Sequence, residues 1–502
     1  MNIAMLLQMA AEAAPERRAL TFGHEHFTFA ELFRAARVAA NIIRASGCRY
    51  VTVMDVSSPA VPIALMGAAI AGVPYVPLNY RLMPDQLNAL LARIEPALII
   101  IDGSRDAPPV KFGSAAVMTR AGFLRRVLAE DPGDSAWSDD PSGVAVQLFT
   151  SGTSGPPKAA ILRHENLVSY ILGSVEFLSA DESDAALVSV PPYHIAGISA
   201  VLSGLYAGRR IIQLPEFGAA LWLDQCRREQ VTNAFVVPTM LSRIVDHLDS
   251  VGSDPEVPTL RAIAYGGGRM PAAIIERALA LFPQVDFTNA YGLTETSSTI
   301  ALLGPEDHRA AFTSSDLAVR RRLGSVGKPL PTVEIEIRDE LGRVAAADQP
   351  GEIFVRGPQV SGEYLERSAR DGDGWFPTRD AGYMDAAGYL YLTGRADDII
   401  IRGGENISPA EIEDALRAHP AVADAAALGI PSVEWGETVA AVVVLHPDRD
   451  VVPTELQHLV KSKLRSTRVP EQILFRDELP YNEMGKLLRR ELKPLFAGNG
   501  GG

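Results

Sequence analysis

The chain has 502 residues, of which 47% are hydrophobic and 22% charged, and its formal net charge is −14. This length exceeds what a single hydrophobic core supports and predicts roughly two to four domains. The negative charge and the lack of a basic block argue against nucleic acid as a partner. The two cysteines, Cys48 and Cys226, are far apart, which argues against a disulfide framework or a cysteine-based metal site and fits a cytoplasmic location.

The start of the chain predicts neither a leader nor a membrane span. Residues 1–20 have no basic segment before their short apolar run, so we expect an amphipathic helix instead of a signal peptide. Residues 60–78 form the most apolar stretch, but it is too short and too often interrupted by proline to cross a bilayer.

Helices and strands alternate along the first hundred residues, which is typical of an α/β fold with a largely parallel sheet. Thr28 and Glu31 have the spacing of a capping box at a helix start. Residues 103–142, rich in Gly, Pro and Asp, are expected to form a surface connection. The predicted helices are 28–46, 60–71 and 85–94, and the predicted strands are 50–56, 75–78 and 97–101.

A polar loop follows an apolar strand predicted at 144–149 and precedes another at 159–162. Its residues are Thr150-Ser151-Gly152-Thr153-Ser154-Gly155-Pro156-Pro157-Lys158. The glycines let backbone N–H groups converge, and with the hydroxyls they form a concave donor surface suited to phosphate oxygens. Lys158 adds a positive charge. The spacing differs from the P-loop of nucleotide triphosphatases, so we predict a phosphate loop of another kind. The alternative is an ordinary polar turn.

Four strands predicted between residues 185 and 289 end in side chains able to form a site. These ends carry Tyr193-His194, Pro238-Thr239, Gly266-Gly267-Gly268 and Tyr291-Gly292-Leu293-Thr294-Glu295. Ligands of open α/β sheets bind at the carboxyl ends of strands, so we expect a site here. Thr294 can donate to a phosphate, and Glu295 can hold a hard cation such as Mg²⁺. The predicted strands are 185–190, 210–214, 233–237, 260–265 and 285–289, separated by helices at 165–178, 198–205, 221–228 and 272–282.

From residue 325 the pattern changes to short alternating strands, which predicts an antiparallel, β-rich part. Residues 375–383 are predicted as a loop carrying Asp380, whose carboxylate can accept two hydrogen bonds from a cis-diol. Ser408 and Glu411 have capping-box spacing around Pro409, which indicates a helix start. The other predicted elements are strands at 333–338, 351–355, 389–392, 422–429 and 438–445 and a helix at 454–464.

Six motifs occur in the order typical of the adenylate-forming superfamily, which the sequence resembles over nearly its whole length. This superfamily comprises acyl- and aryl-CoA ligases, luciferases and the adenylation domains of peptide synthetases. The motifs include the polar loop, Tyr291–Glu295, Gly394–Asp397 and Pro480–Lys486. One departure is Pro156-Pro157, where the family often has Gly or a single Pro.

The resemblance implies the fold class: α/β, with a large N-terminal domain of α/β sheets plus a small β-rich part, and a small mobile C-terminal α+β domain. We expect the AMP- and acid-binding domain at 1–394, a hinge at 395–397 around Asp397, and the mobile domain at 398–502.

The resemblance also implies roles for individual residues. Lys486 is expected to bridge the substrate carboxylate and the α-phosphate, with Thr294 on that phosphate and Glu295 on the metal. Tyr291 is expected to stack on adenine, and Asp380 and Arg395 to bind the ribose. The other ATP- or AMP-binding residues implied are Thr150, Ser151, Gly152, Thr153, Ser154, Gly155, Lys158, Gly266, Gly267, Gly268, Asn289, Ala290 and Gly292.

The acid and CoA sites are implied in the same way. His194 is a catalytic candidate that also belongs to the acid pocket. The acid pocket is expected to contain Tyr193, His194, Ala196, Gly197, Phe235, Thr239, Gly292 and Ser297. The CoA contacts are expected to be Gly403, Gly404 and Trp435.

Each of these residues also has a structural interpretation. Asp380 can be a loop-capping aspartate, Asp397 part of a surface turn, His194 a structural histidine, and Lys486 a solvated lysine.

The predicted function is that of an acid–CoA ligase that uses ATP, Mg²⁺ and coenzyme A. The enzyme first makes an acyl-adenylate and releases pyrophosphate, then transfers the acyl group to the CoA thiol and releases AMP. The expected partners are a small carboxylic acid and CoA, and the sequence leaves open whether the protein forms a homodimer. Three alternatives stay open: loading of a carrier protein, luciferase-like oxygenation and nucleotide binding without catalysis.

The acid is predicted to be a medium or large mono-acid: aromatic, polycyclic or fatty. Relatives that activate acetate close the pocket with tryptophan at the position of Gly292, so we expect Gly292 to leave that volume open and Gly292→Trp to favour small acids. Arg269 is the one basic residue in the pocket segments, so a second carboxylate has no evident partner.

Overall fold

The structure is a computed structural model that describes residues 1–103, 113, 115–133, 137–150, 157–252, 254–403, 405–432, 434–482 and 485–496. Asp397 is described by its backbone alone. The predicted site residues outside the described part are Ser151, Gly152, Thr153, Ser154, Gly155 and Gly404.

Residues 1–251 alternate between helices and strands. In chain order these are α1 (Ala4–Ala13), β1 (Arg18–Phe22), β2 (Glu25–Thr28), α2 (Phe29–Ser46), β3 (Tyr50–Met54), α3 (Ala60–Ala71), α4 (Pro84–Leu91), β4 (Ala97–Ile101), β5 (Ala116–Thr119), α5 (Arg120–Ala129), β6 (Val144–Thr150), β7 (Lys158–Arg163), α6 (His164–Ser174), β8 (Ala185–Val188), α7 (Ile195–Tyr206), β9 (Arg210–Gln213), α8 (Ala219–Arg228), β10 (Asn233–Val236) and α9 (Pro238–Val251).

Residues 262–395 become progressively richer in strands. The elements are β11 (Ala262–Gly266), α10 (Ala272–Leu281), β12 (Asp286–Leu293), β13 (Ser298–Leu303), α11 (Pro305–Thr313), α12 (Leu317–Arg320), β14 (Lys328–Pro329), β15 (Glu334–Arg338), β16 (Gly351–Arg356), β17 (Glu363–Tyr364), β18 (Arg367–Ser368), β19 (Phe376–Met384) and β20 (Leu390–Arg395).

The C-terminal part forms a separate sheet with its own helices. Its elements are β21 (Ile400–Arg402), β22 (Glu405–Ile407), α13 (Pro409–Arg417), β23 (Val422–Ser432), β24 (Gly436–Leu445), α14 (Pro453–Lys463), β25 (Gln472–Phe475) and α15 (Arg489–Leu492).

Four sheets are built from these strands. The first has the order β14-β13-β12-β11-β10-β8-β9-β1-β2, with β12 to β1 parallel and antiparallel pairs at both edges. The second joins the antiparallel set β18-β17-β7-β6 to the parallel set β3-β4-β5. The third, β15-β16-β19-β20, is antiparallel, and the fourth orders β22-β21-β24-β23 with β25 beside β24. This confirms the predicted fold class of a large α/β part, a β-rich part and a small α+β part.

The N-terminal helices show how the sequence specifies the packing. Thr28 and Glu31 form the predicted capping box, with hydrogen bonds of 3.2 and 2.8 Å between side chains and backbone N–H groups. Helix α3 is buried on nearly all sides, as expected of a helix that has no charged or polar side chain. A Cβ at Gly67 would lie 2.6 Å from the Ala39 Cβ, so glycine allows α3 to pack closely on α2.

Several predicted elements differ from the structure. The strand at 75–78 is reduced to Tyr75, which bridges Val51 and Val146 and so joins the two halves of the second sheet. Pro74 and Pro77 lack the N–H groups that a longer ladder needs. The surface connection at 103–142 contains β5 and α5, so that prediction was wrong for much of its length.

Other corrections concern elements that the sequence analysis missed. The β1–β2 hairpin, α9 and β13 were not predicted, and residues 376–384, expected within a loop, form strand β19. Helix α13 begins at Pro409 as predicted, but Ser408 makes no capping bond. The Ser408 hydroxyl instead donates to the carbonyl of Thr393.

Candidate active site

A cleft of about 1200 Å³ collects most of the predicted catalytic residues. It lies where the ends of β6 and β12 meet the β17–β18 hairpin, β19 and the C-terminal part. Its volume exceeds the upper end of ordinary single-ligand pockets. The predicted residues that line it are Thr150, Lys158, Tyr193, His194, Gly267, Gly292, Thr294, Glu295, Arg395 and Lys486.

Asp380 is held between an arginine and a tyrosine at one side of the cleft. Pairing of β19 with β20 sets Asp380 opposite Arg395, whose guanidinium donates to Oδ1 at 2.8 Å. The Tyr291 hydroxyl donates to Oδ2 at 2.7 Å. Burial, and then the Asp380 charge, raise the pKa of Tyr291 far above its usual value, so the phenol keeps its proton. This network links all three residues predicted to bind adenosine and orients the carboxylate.

Glu295 is fixed by contacts to its backbone and to its side chain. It belongs to a short 3₁₀ turn, Thr294–Thr296, and its carbonyl accepts N–H bonds from Ser361 at 2.9 Å and Gly362 at 3.1 Å. Tyr364 donates its hydroxyl to Glu295 Oε1 at 2.8 Å. Burial and the Glu295 charge raise the pKa of Tyr364, so it remains a donor.

The carboxylate of Glu295 suits a magnesium ion that is also bound to ATP. Mg²⁺ is usually held by one or two carboxylates together with substrate phosphates, not by a cage of protein ligands. Among the described residues no group of three or more His, Cys, Asp or Glu could hold a metal. A single buried carboxylate that lines the same cleft as Thr150 and Lys158 fits the nucleotide-dependent kind of site.

Lys486 brings the C-terminal part into the cleft. Its backbone is held by Asn482, with bonds of 2.8 Å from the Lys486 N–H to Oδ1 and 2.9 Å from the Asn482 N–H to the Lys486 carbonyl. Burial and the nearby Arg395 guanidinium lower the pKa of Lys486, while Asp380, Asp398 and Glu295 act in the opposite direction. Although part of the side chain is exposed, Lys486 therefore lies within electrostatic reach of the two predicted ligand-binding carboxylates.

His194 lies directly before α7 and is electrically neutral at pH 7. Burial lowers its pKa to about 4. Its ring lies 4.8 Å from that of Tyr193, whose other side meets Tyr80 edge-on at 6.0 Å. Within the described residues, Nε2 is buried without a hydrogen-bond partner. The histidine thus offers a neutral nitrogen in an aromatic wall.

Two glycines of the site are required by close backbone approach. A Cβ at Gly266 would lie 2.2 Å from the Ala290 carbonyl oxygen, and one at Gly292 would lie 1.8 Å from that of Ser298. Gly292 lines the cleft, but a side chain there would enter the β12–β13 connection. A tryptophan at this position therefore requires the Ser298 carbonyl to move, and the effect of Gly292→Trp on acid preference stays a prediction.

Other predicted residues lie behind the cleft wall or away from it. Asn289 donates its amide to the Ser325 carbonyl at 3.1 Å, and Thr239 faces Gly485 of the C-terminal part. Arg269 contacts Asp414 and the Ala410 carbonyl instead of the acid pocket. The predicted residues that do not line the cleft are Ala196, Gly197, Phe235, Thr239, Ser297, Gly266, Gly268, Asn289, Ala290, Tyr291 and Asp380.

The described residues of the predicted CoA set lie together on the C-terminal part. Gly403 has φ +57° and donates its N–H to the Trp435 carbonyl at 2.9 Å. Trp435 is 43% exposed, and the Arg402 guanidinium lies 5.7 Å from its ring centre. Neither Gly403 nor Trp435 lines the cleft that contains Lys486.

Sequence reasoning missed a group of cationic residues and one aromatic residue. Tyr364, which connects Glu295 to the β17–β18 hairpin, belongs to no motif that had been recognised. The additional arginines that line the cleft are Arg81, Arg367, Arg370, Arg379 and Arg490. Arg81 and Arg370 lie in loops, Arg367 in the short strand β18, Arg379 in β19 and Arg490 in α15, so only the tertiary structure brings them together.

Comparisons with known proteins identify the family of the chain. A family model described as AMP-binding enzyme matches residues 7–365, and one described as AMP-binding enzyme C-terminal domain matches residues 411–486. The 2-succinylbenzoate–CoA ligase of Bacillus licheniformis is 32% identical, over 97% of this chain and 98% of its own. The fatty acid–[acyl-carrier-protein] ligase ScoC of Streptomyces coeruleorubidus is 30% identical, over 97% and 95%.

A solved structure shows the same fold with an intermediate bound. The o-succinylbenzoate CoA synthetase (MenE) from Bacillus subtilis, in complex with the acyl-adenylate OSB-AMP, has a TM-score of 0.83 at 31% identity and covers 97% of both chains. A second structure of that protein, with ATP and a magnesium ion, has a TM-score of 0.83 at 30% identity and covers 97% of this chain and 99% of its own.

These matches extend over both parts of the chain. The chain belongs to the AMP-binding enzyme family, which confirms the resemblance to the adenylate-forming superfamily. No helix in the described ranges is long and apolar enough to cross a membrane.

Proposed function

We propose that the protein is an ATP-dependent acid–CoA ligase that works through an acyl-adenylate. The observation that carries this proposal is the position of Lys486. This lysine of the C-terminal part lines the same cleft as Thr294, Glu295 and Arg395. A carboxylate and the α-phosphate of ATP would both be anionic there, so a positive charge supplied between them lowers the repulsion as they react.

In the first half-reaction a carboxylate oxygen attacks the α-phosphorus and pyrophosphate leaves with the bonding electron pair. Catalysis of this kind is mainly positioning and charge neutralisation. Asp380, oriented by Arg395 and Tyr291, would bind the ribose hydroxyls, and Thr294 would donate to the α-phosphate. Glu295 would hold the magnesium ion, which neutralises phosphate charge when bound.

In the second half-reaction the CoA thiol attacks the acyl carbon and AMP leaves. We propose that the C-terminal domain, 398–502, rotates about a hinge at 395–397, which withdraws Lys486 and brings Gly403 and Gly404 towards the cleft. Trp435 would then stack on the adenine of CoA. The separation of Gly403 and Trp435 from the cleft in the present arrangement supports two alternating states.

The acid is proposed to be a medium or large mono-acid: aromatic, polycyclic or fatty. Tyr193 and the neutral His194 form the adjoining wall, and Arg269 is engaged by the C-terminal part, so it provides no counter-charge. The named relatives act on 2-succinylbenzoate and on fatty acids. A second candidate function, loading of a carrier protein, is favoured by the similarity to ScoC.

One experiment tests these points together. Purified enzyme with Mg·ATP is given acetate, benzoate, a cinnamate-type acid, a C8–C12 fatty acid or 2-succinylbenzoate, and pyrophosphate release is followed with and without CoA. We expect CoA-dependent turnover with one of the larger acids and a kcat/KM for acetate lower by several orders of magnitude, because each lost apolar contact costs about 1–3 kcal/mol. Acyl-adenylate formation without any acyl-CoA product would favour the carrier-protein alternative, and acetate as the best substrate would contradict the proposed acid.

A further inference from the structure

The β17–β18 hairpin forms a wall of the cleft next to Lys158 and β7. Tyr364 on β17 pairs with Ala160 on β7, two residues after Lys158, and with Arg367 on β18. Residues directly opposite in an antiparallel pair have Cβ atoms about 4.5–5.5 Å apart. The register therefore ties Arg367 to the strand that begins at the end of the polar loop.

Tyr364 is the centre of a charged cluster. Its hydroxyl donates to Glu295 Oε1 at 2.8 Å, the Lys158 ammonium lies 5.6 Å from its ring centre, and Arg367 lies across the ladder. All four side chains belong to residues that line the cleft. A metal-binding carboxylate and two cations thus surround one aromatic ring.

The charge of Arg367 is not neutralised within the described part of the chain. The hairpin contains two carboxylates, but Glu363 is paired with Arg163 at 2.7 Å and Glu366 with Arg93 at 3.0 Å. No hydrogen bond or ion pair among the described residues engages the Arg367 guanidinium, and the residue is exposed to the cleft. Both acids that could have paired with it are held elsewhere, which leaves a cation facing the site.

We propose that Arg367 binds the β- and γ-phosphates of ATP and the pyrophosphate that leaves. The planar guanidinium can donate two parallel hydrogen bonds to phosphate oxygens, and charge-assisted bonds of this kind are stronger than neutral ones. The assignment rests on the proposed function, in which Thr294 and Lys486 contact the α-phosphate. The terminal phosphates would then extend past Glu295 towards Lys158 and Arg367. Arg367 would thus bind phosphate oxygens in addition to the residues predicted for the polar loop.

Equilibrium binding to purified full-length protein tests the proposal without any acid substrate. Dissociation constants of ATP, Mg·pyrophosphate and AMP are measured by calorimetry for wild type, R367Q, R367K and R343Q. Arg343 is an exposed arginine outside the cleft, paired with Asp339, and is the matched control for loss of one positive charge. Thermal unfolding of each variant checks that the fold is intact.

We expect R367Q to weaken ATP and Mg·pyrophosphate about tenfold and to leave AMP within about twofold, because AMP lacks the terminal phosphates. R367K should lose less, and R343Q should behave as wild type. Equal weakening of the binding of all three ligands, or no weakening of any, would overturn the assignment.

The outcome is independent of which acid the enzyme uses, so an acid panel without a substrate would contradict the proposed ligase activity and leave the result for Arg367 standing. Wild-type protein that bound neither ATP nor pyrophosphate would contradict both.

Discussion

Lys486 is the residue on which we propose that the first half-reaction depends. It reaches the cleft from the C-terminal part, so it can assist adenylate formation only while that part is in the present arrangement. We predict that Lys486→Ala lowers the rate of adenylate formation about 10²–10³-fold, as loss of one group that stabilises transition-state charge typically does. Thioester formation from supplied acyl-adenylate and CoA should be unchanged, and an equal loss in both reactions would contradict two alternating states.

The pH dependence of adenylate formation should report the same lysine. Burial and Arg395 lower the pKa of Lys486 from its usual 10.5, and the ammonium form is the one that neutralises phosphate charge. The rate should therefore fall as pH rises through this lowered pKa, at a lower pH than for an ordinary lysine. Lys486→Arg, which stays charged across the range, should shift this alkaline decline upward even if its maximal rate is reduced. An unshifted alkaline limb in Lys486→Arg would assign the titration to another group.

At the scale of single residues, the sequence predicted which side chains could take part in the reaction, but only some of the contacts that hold them. The sequence located Thr294 and Glu295 because they follow closely after an apolar run that is recognisable as a strand. The bond between Tyr291 and Asp380 joins positions 89 residues apart, so no local pattern carries it. Tyr364 and Arg367 were missed for the same reason: they reach the site because β17 pairs with β7 and β18 pairs with β17.

The pairing of β12 with β13 limits which side chains the position of Gly292 can hold. The register between β12 and β13 shifts at Tyr291 and Gly292, and the Ser298 carbonyl oxygen would lie 1.8 Å from a new Cβ. Ser297 and Ser298 already have positive φ values of 58° and 112°. The connection is therefore tightly constrained before any substitution is made.

We predict that Gly292→Ala destabilises the protein by about 1–3 kcal/mol, the usual cost of overpacking, and lowers activity towards all acids instead of changing size preference. Denaturant unfolding and kinetics on the acid panel measure the two effects. Gly304→Ala, directly after β13, is the matched control, because its Cβ would meet no atom closer than 3.9 Å. A variant of normal stability with a selective gain for acetate would restore the simpler interpretation of a pocket-filling side chain.

Two candidate capping boxes illustrate where element prediction succeeds and fails. Both Thr28 with Glu31 and Ser408 with Glu411 have the right residue types at the right spacing, yet only the first pair makes the bonds. Ser408 instead donates to the Thr393 carbonyl of the preceding part of the chain. Local sequence places a hydroxyl at the start of the helix, but a carbonyl elsewhere in the fold can accept the hydrogen bond of that hydroxyl instead.

On the scale of the whole molecule, the present arrangement is held by contacts between the two parts. Arg269, just after β11, reaches the Ala410 carbonyl at 3.1 Å and the Asp414 carboxylate, and Gly485 packs against Thr239. The sequence analysis had assigned Arg269 and Thr239 to the neighbourhood of the acid pocket. Periodicity located most helices and strands within each part, but the contacts between the parts join residues far apart in the sequence and follow no local pattern.

The contacts between the parts lead to a last prediction, on the proposed hinge. Ala396–Asp398 forms a 3₁₀ turn, whose φ values lie close to the angle that proline imposes. Asp397→Pro should therefore be compatible with the present arrangement and oppose a rotation that changes φ at this position. We expect ATP–pyrophosphate exchange within about threefold of wild type and a loss of about 10²-fold in thioester formation from supplied acyl-adenylate, since a blocked domain motion limits the step that needs it.

Asp397→Ala removes the same side chain but leaves φ free, so it should retain both reactions. Equal impairment of the alanine and proline variants would mean that the side chain of Asp397, and not rotation of the backbone, is what the second half-reaction requires.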